Sequence, residues 1–150
     1  MKHTALHHRC WILLASLFAA AAISGPAAAK SELKGAAALD HPCAKVGVQQ
    51  MGYLHAGNID AANRLSTPEM QQQWQAMPAK DRTMMAEMAK SMSPSSDQYA
   101  AEIRKSGMLV VDGAKAVLTV QTTHKDANGS STSTSTQNFR FDGKQCLVSR

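Results

Sequence analysis

Apolar and polar positions along this chain follow three successive patterns. Trp11 to Ile23 is an almost unbroken apolar run, the stretch from Asp40 to Met92 repeats its apolar residues every three or four positions, and from Tyr99 onward they alternate with polar ones. A repeat of three to four predicts helices with one buried face, and alternation predicts strands. The helical half also carries its own punctuation. Asp40 or His41 supplies an N-cap, Pro42 stands in the first turn where a missing N–H costs nothing, and Gly57 closes the helix. Within it Ala44, Gly47, Val48, Met51, Leu54 and His55 share a face, while Val46 and Tyr53 lie opposite. A helix apolar on two sides is expected between a sheet and other helices.

Asn58 caps a short second helix through Ile59, Ala61, Ala62 and Leu65, and Thr67-Pro68-Glu69 opens a third that carries Met70 and Trp74. Pro78 ends the third helix and begins a fourth, from about Ala79 to Met92, with Met84, Met85, Met88 and Met92 on one side. Ser93-Pro94-Ser95-Ser96 marks the end of the helical half. Beyond it, Asp112-Gly113 and Asp142-Gly143 are hairpin signals. The first joins Met108–Val111 to a strand in which Ala116, Leu118, Val120 and Thr122 alternate with Lys115, Val117, Thr119 and Gln121, and the second joins Phe139 and Phe141 to a closing strand from Cys146 to Ser149. The Ser/Thr run 130–136 has no apolar face to fix its register, so the hairpin containing it is expected to fray at its tip. Helices followed by an antiparallel meander define an α+β domain, with N-terminal helices packed on a curved antiparallel sheet of about four strands.

The segment 1–29 does not belong to that domain. Its basic start (Lys2, Arg9), apolar core, Gly25-Pro26 break and small residues Ala27–Ala29 have the order of a secretory signal cleaved near Ala29, too short in its apolar part for a stable membrane span. Export to the periplasm or the exterior follows from that reading. Residues 30–39, small and polar, are expected as a flexible leader, leaving 40–150 as one domain. Loss of Lys2 and Arg9 lowers 16 basic residues to 14 against 11 acidic ones, with no basic run of the kind nucleic acid requires.

Cys10 leaves with the signal, so the exported chain keeps Cys43 and Cys146. An even pair in an oxidising compartment predicts a disulfide, and the absence of C-x-x-C spacing argues against a redox pair. The two lie 103 positions apart, a loop whose closure stabilises by about 4–5 kcal/mol in the chain-entropy model.

Tyr53-Leu54-His55-Ala56-Gly57-Asn58-Ile59-Asp60-Ala61-Ala62, followed by Leu65-Ser66-Thr67-Pro68-Glu69-Met70 and the late hairpins Val111–Ala116 and Phe141–Lys144, resembles small exported proteins of the nuclear transport factor 2-like (cystatin-like) superfamily. The resemblance implies helices folded over a cone-like sheet with a cavity, and relatives that include isomerases, dehydratases and subunits of larger assemblies. It also implies a homodimer through the sheet face carrying Val117 and Thr119. The chain departs from the pattern in having Gln145-Cys146 where the last strand usually carries an aromatic.

Three sets of residues are candidates for chemistry. His55 carries an imidazole, the side chain suited to proton transfer, and in a cavity it would act as a general base with Asp60 or Tyr99 as helper; the alternative is a core histidine bonded to a carbonyl. Met84, Met88 and Met92 carry thioethers suited to Cu(I); the alternative is that they fill a core as leucines would. Tyr53 and Trp74 are candidates for contact with a ligand or partner. No nucleophile elbow, paired carboxylates, phosphate loop or metal-ligand cluster is visible, and no cofactor is expected. The function these observations favour is an exported, non-enzymatic protein that binds a small apolar ligand or an envelope protein. An acid–base isomerase or dehydratase, or a periplasmic Cu(I)-binding protein, stands as the alternative.

Overall fold

A computed structural model describes residues 30–126 and 129–150; the expected signal segment and its cleavage point lie outside them. The sheet is antiparallel throughout, with its strands in the chain order β1 (Ser31–Lys34), β2 (Met108–Asp112), β3 (Lys115–Asp126), β4 (Gly129–Phe141) and β5 (Cys146–Ser149). Between β1 and β2 the chain forms α1 (Gly35–Asp40), α2 (Pro42–His55), α3 (Ile59–Asn63), α4 (Pro68–Ala76), α5 (Ala79–Met92) and α6 (Ser96–Ser106). Among the described residues the strands count five rather than about four, because residues 30–39 are not a loose leader. β1 pairs with β2 from Ser31↔Val111 to Lys34↔Met108, and Ala38 of α1 is fully buried. Leu33 and Leu39 pack on the core, which is enough to order a segment whose composition reads as polar.

Period two decides the face of each strand. Ala116, Leu118, Val120 and Phe139 are buried beneath the helices, while Lys115, Gln121, Asn138 and Arg140 on the opposite face are exposed. The expected fraying of the Ser/Thr run does not occur within the described residues, where β3 and β4 pair without a break from Lys115↔Arg140 to Asp126↔Gly129. Thr has high strand propensity, and the buried Leu118–Gln137 end holds the register that the polar end lacks.

α2 is the centre of the helical layer. His41 caps it, its Nδ1 accepting the Cys43 N–H at 3.2 Å, and burial pushes the His41 imidazole below its ordinary value. The Cys43–Cys146 disulfide joins the first turn of α2 to the start of β5 with Cα atoms 5.0 Å apart. The α3–α4 junction covers the outer edge of β5, where Thr67 N–H donates to the Val148 carbonyl and Val148 N–H to the Leu65 carbonyl, each at 2.9 Å.

A helix also replaces the expected change of period at Tyr99. Ser95 accepts from Gln98 N–H and the Gln98 side chain accepts from Ser95 N–H, a capping box that starts α6 where the serine cluster reads as a loop. Tyr99 and Ile103 of α6 enter the core together.

Candidate functional site

Trp74 organises the helical layer away from the sheet. Pro68 at the first position of α4 sets the helix direction, and two turns later the Trp74 indole N–H donates to Asp60 Oδ1 at 2.6 Å. Asp60 lies in the first turn of α3, which Asn58 caps through Oδ1 to the Ala61 N–H at 3.1 Å. The bond leaves the indole as a half-buried wall between two hollows that meet at Ile59 and Trp74. One, about 390 Å³, is lined mainly by apolar side chains, among them Leu54, Met70, Met77 and Met85. The other, about 320 Å³, holds the polar groups of Asn58, Arg82 and Thr83.

The floor of the apolar hollow is polar but satisfied. Gln50, in the middle of α2, donates through Nε2 to the Ala62 carbonyl and Ser66 Oγ, both at 3.4 Å, and accepts through Oε1 from Gln137 Nε2 of β4. A floor whose hydrogen bonds are already made offers a ligand little polar attraction, so the hollow selects for apolar surface.

A third hollow, about 620 Å³, opens where α2, α5 and α6 meet the β3–β4 hairpin, between Met51 and Met92 on one side and Tyr99, Glu102, Thr122 and Ser135 on the other. Thr122 Oγ1 donates to Glu102 Oε2 at 2.6 Å, which occupies that carboxylate. Burial pushes the Tyr99 phenol up to about 12, against a smaller opposing effect of its hydrogen bond to Ser135. At neutral pH it is a neutral donor, not a base.

The residues proposed as an acid–base set are not brought together. His55 is exposed at the end of α2 rather than buried in its apolar stripe, and its Nδ1 is 2.9 Å from the Ser93 carbonyl. Asp60 is committed to Trp74, and Tyr99 is buried on the inner side of α6. Of the two aromatic candidates only Trp74 lines a hollow described above; the Tyr53 hydroxyl accepts from Gln49 Nε2 at 3.1 Å on the surface.

The methionine ridge does not fill a core against the sheet. Met84, Met85, Met88 and Met92 are 58, 42, 53 and 77% exposed, and α5 buries no residue fully. With Tyr99, Ile103 and Phe139 already closing the core, α5 packs along α2 and leaves its methionines exposed, Met85 and Met92 at the rims of two hollows. Sequence spacing identifies the ridge but not the side it faces. Gln50 and Glu102 escape the sequence reading because a polar residue inside a helical repeat reads as its solvent side.

The architecture defines an α+β protein with helices packed on an antiparallel sheet, stapled by the Cys43–Cys146 disulfide, whose helical layer borders an apolar hollow beside a hydrogen-bonded tryptophan. No protein-family model, curated protein or solved structure matches the chain. Among the described residues no helix is long and apolar enough to cross a membrane.

Proposed function

We propose that this chain is an exported, non-enzymatic binding protein of nuclear transport factor 2-like, cone-like architecture that takes a small apolar ligand in the hollow walled by Trp74. One observation carries the reading: Leu54, Met70, Met77 and Met85 line a hollow of about 390 Å³ whose polar floor is internally bonded and whose indole wall is held in place by Asp60. An apolar ligand gains there by leaving water, at about 25 cal/mol per Å² of buried surface. The adjoining Arg82 and Asn58 suit a polar or anionic end on the same molecule. Export rests on the order of charge, apolar run and small residues in 1–29. Native mass spectrometry of the chain incubated with an envelope lipid extract tests the reading. A retained adduct that Met85→Glu abolishes supports it, and a bare protein mass contradicts it.

The exposure of Met84, Met88 and Met92 favours a second role for the outer face of α5, as a thioether surface for Cu(I). Residues four apart on a helix are neighbours, so Met88 lies within reach of both Met84 and Met92. Competition against a Cu(I) chelator decides it. Replacing the three with leucine keeps the apolar face and removes the sulfur donors, so unchanged affinity sinks the copper role.

A further inference from the structure

The disulfide has a neighbour that its structural role does not require. A ring nitrogen of His41 and the sulfurs of Cys43 and Cys146 all lie within 4.8 Å of one another. Cys43 is fully buried and Cys146 is 5% exposed, and the His41 ring stands edge-on to Phe141 with centroids 5.1 Å apart. Three elements meet here: the cap of α2, its first turn, and the first residue of β5.

While the sulfurs are bonded to each other they are poor ligands. A dithiol reductant changes this by thiol–disulfide exchange. The Cys43–Cys146 bond breaks, the reductant closes its own disulfide, and two electrons and two protons pass to the protein sulfurs. The chain then holds two thiols and an imidazole around one point, with Cys43 in the first turn of the 14-residue helix α2. Zn–S and Zn–N bonds of about 2.3 and 2.0 Å place tetrahedral ligand atoms roughly 3.5 Å apart, so the two sulfurs, about 2 Å apart while bonded, must part by roughly 1.5 Å on reduction, and the imidazole nitrogen starts within 4.8 Å of both.

We propose that the reduced chain binds one Zn²⁺ through His41, Cys43 and Cys146, and that the ion replaces the disulfide as the tie between α2 and β5. Binding releases the thiol protons to solvent and leaves a fourth position for water. The site is built from backbone positions that the fold already fixes: the Asp142 side chain accepts from Lys144 and Gln145 N–H at 2.9 and 2.7 Å, ordering the turn that delivers Cys146.

The test uses the full exported chain, reduced with a phosphine under argon and titrated with Zn²⁺ against a chromogenic chelator, with thermal unfolding followed in parallel. One equivalent is expected to bind the reduced chain and raise its Tm, or to restore cooperative unfolding if reduction alone loosens the fold. The oxidised chain is expected to take up none. His41→Ala is expected to weaken Zn²⁺ binding at least tenfold in the reduced chain, while its oxidised form unfolds cooperatively. A reduced chain whose unfolding ignores Zn²⁺, an oxidised chain that binds equally well, or a His41→Ala variant that binds as tightly as the parent would each overturn the proposal.

Discussion

Gln137 of β4 donates through Nε2 to Gln50 Oε1 of α2, joining sheet to helix inside the core across 87 positions of sequence. Gln50 is fully used, because its own Nε2 reaches Ala62 and Ser66, whereas Gln137 Oε1 is buried with no hydrogen-bond partner among the described residues. The asymmetry ranks two substitutions. Gln50→Leu strands Ser66 Oγ and Gln137 Nε2, the Ala62 carbonyl keeping its bond from the Leu65 N–H, and is expected to cost about 2–3 kcal/mol; Gln137→Leu removes the orphaned Oε1 but leaves Gln50 Oε1 unpaired, and is expected to cost about 1 kcal/mol. Urea unfolding of both variants and the double mutant checks the order, and equal costs would contradict it.

Gly47 lies against the same pair. A Cβ built there falls 2.6 Å from Gln137 Oε1 and 3.3 Å from Phe139 Cζ, so a side chain at position 47 displaces the end of the Gln137 amide and presses on the Phe139 ring. Gly47→Ala is expected to destabilise by about 1–3 kcal/mol despite its better helix propensity. In a Gln137→Ala background the penalty should shrink, which a double-mutant cycle reads directly.

Tyr99 makes stability depend on alkaline pH. Its folded value, about 12, exceeds the ordinary phenol value of 10.0, so the unfolded chain loses this proton first as pH rises. The contribution is therefore complete below pH 10 and is lost between 10 and about 12, amounting to roughly 2–3 kcal/mol at the upper end. Tyr99→Phe should flatten this part of the pH profile in chemical unfolding; a parallel profile would show that the phenol is not the source.

His55 separates binding from acid–base chemistry. Its ring is exposed and bonded to the Ser93 carbonyl, where it ties the end of α2 to the residue after α5. His55→Ala is expected to cost about 1 kcal/mol of stability and to leave ligand affinity within twofold of the parent. Loss of turnover on any carbonyl substrate in this variant would revive the isomerase alternative.

Elements whose ends are set by local chemistry are legible in the chain. His41-Pro42, Asn58, Thr67-Pro68 and Pro78 place the starts of α2 to α5, and Asp112-Gly113 and Asp142-Gly143 place two hairpins. Elements that depend on distant partners are not. β1 exists because Met108–Val111 offers it an edge, and α6 carries only Tyr99 and Ile103 as buried anchors in a polar stretch, with the Ser95–Gln98 capping box as its one local signal. The site follows the same division. Trp74 and Asp60 stand out singly as an aromatic and an acid, but their 14-position separation spans the α3–α4 turn, and only the fold makes them a pair. The outward turn of the methionines is equally non-local, since it depends on the core being filled by other residues.

The most direct test of the binding account follows fluorescence from Trp74, the one tryptophan outside the first 29 residues, during titration with 8-anilinonaphthalene-1-sulfonate. The probe joins an apolar ring system to an anionic group, matching the Leu54–Met70–Met85 hollow and the neighbouring Arg82. The account predicts saturable energy transfer from Trp74 to one bound probe, weakened at least tenfold by Met85→Glu and unaffected by His55→Ala. No saturable transfer, or transfer that Met85→Glu leaves intact, would contradict it.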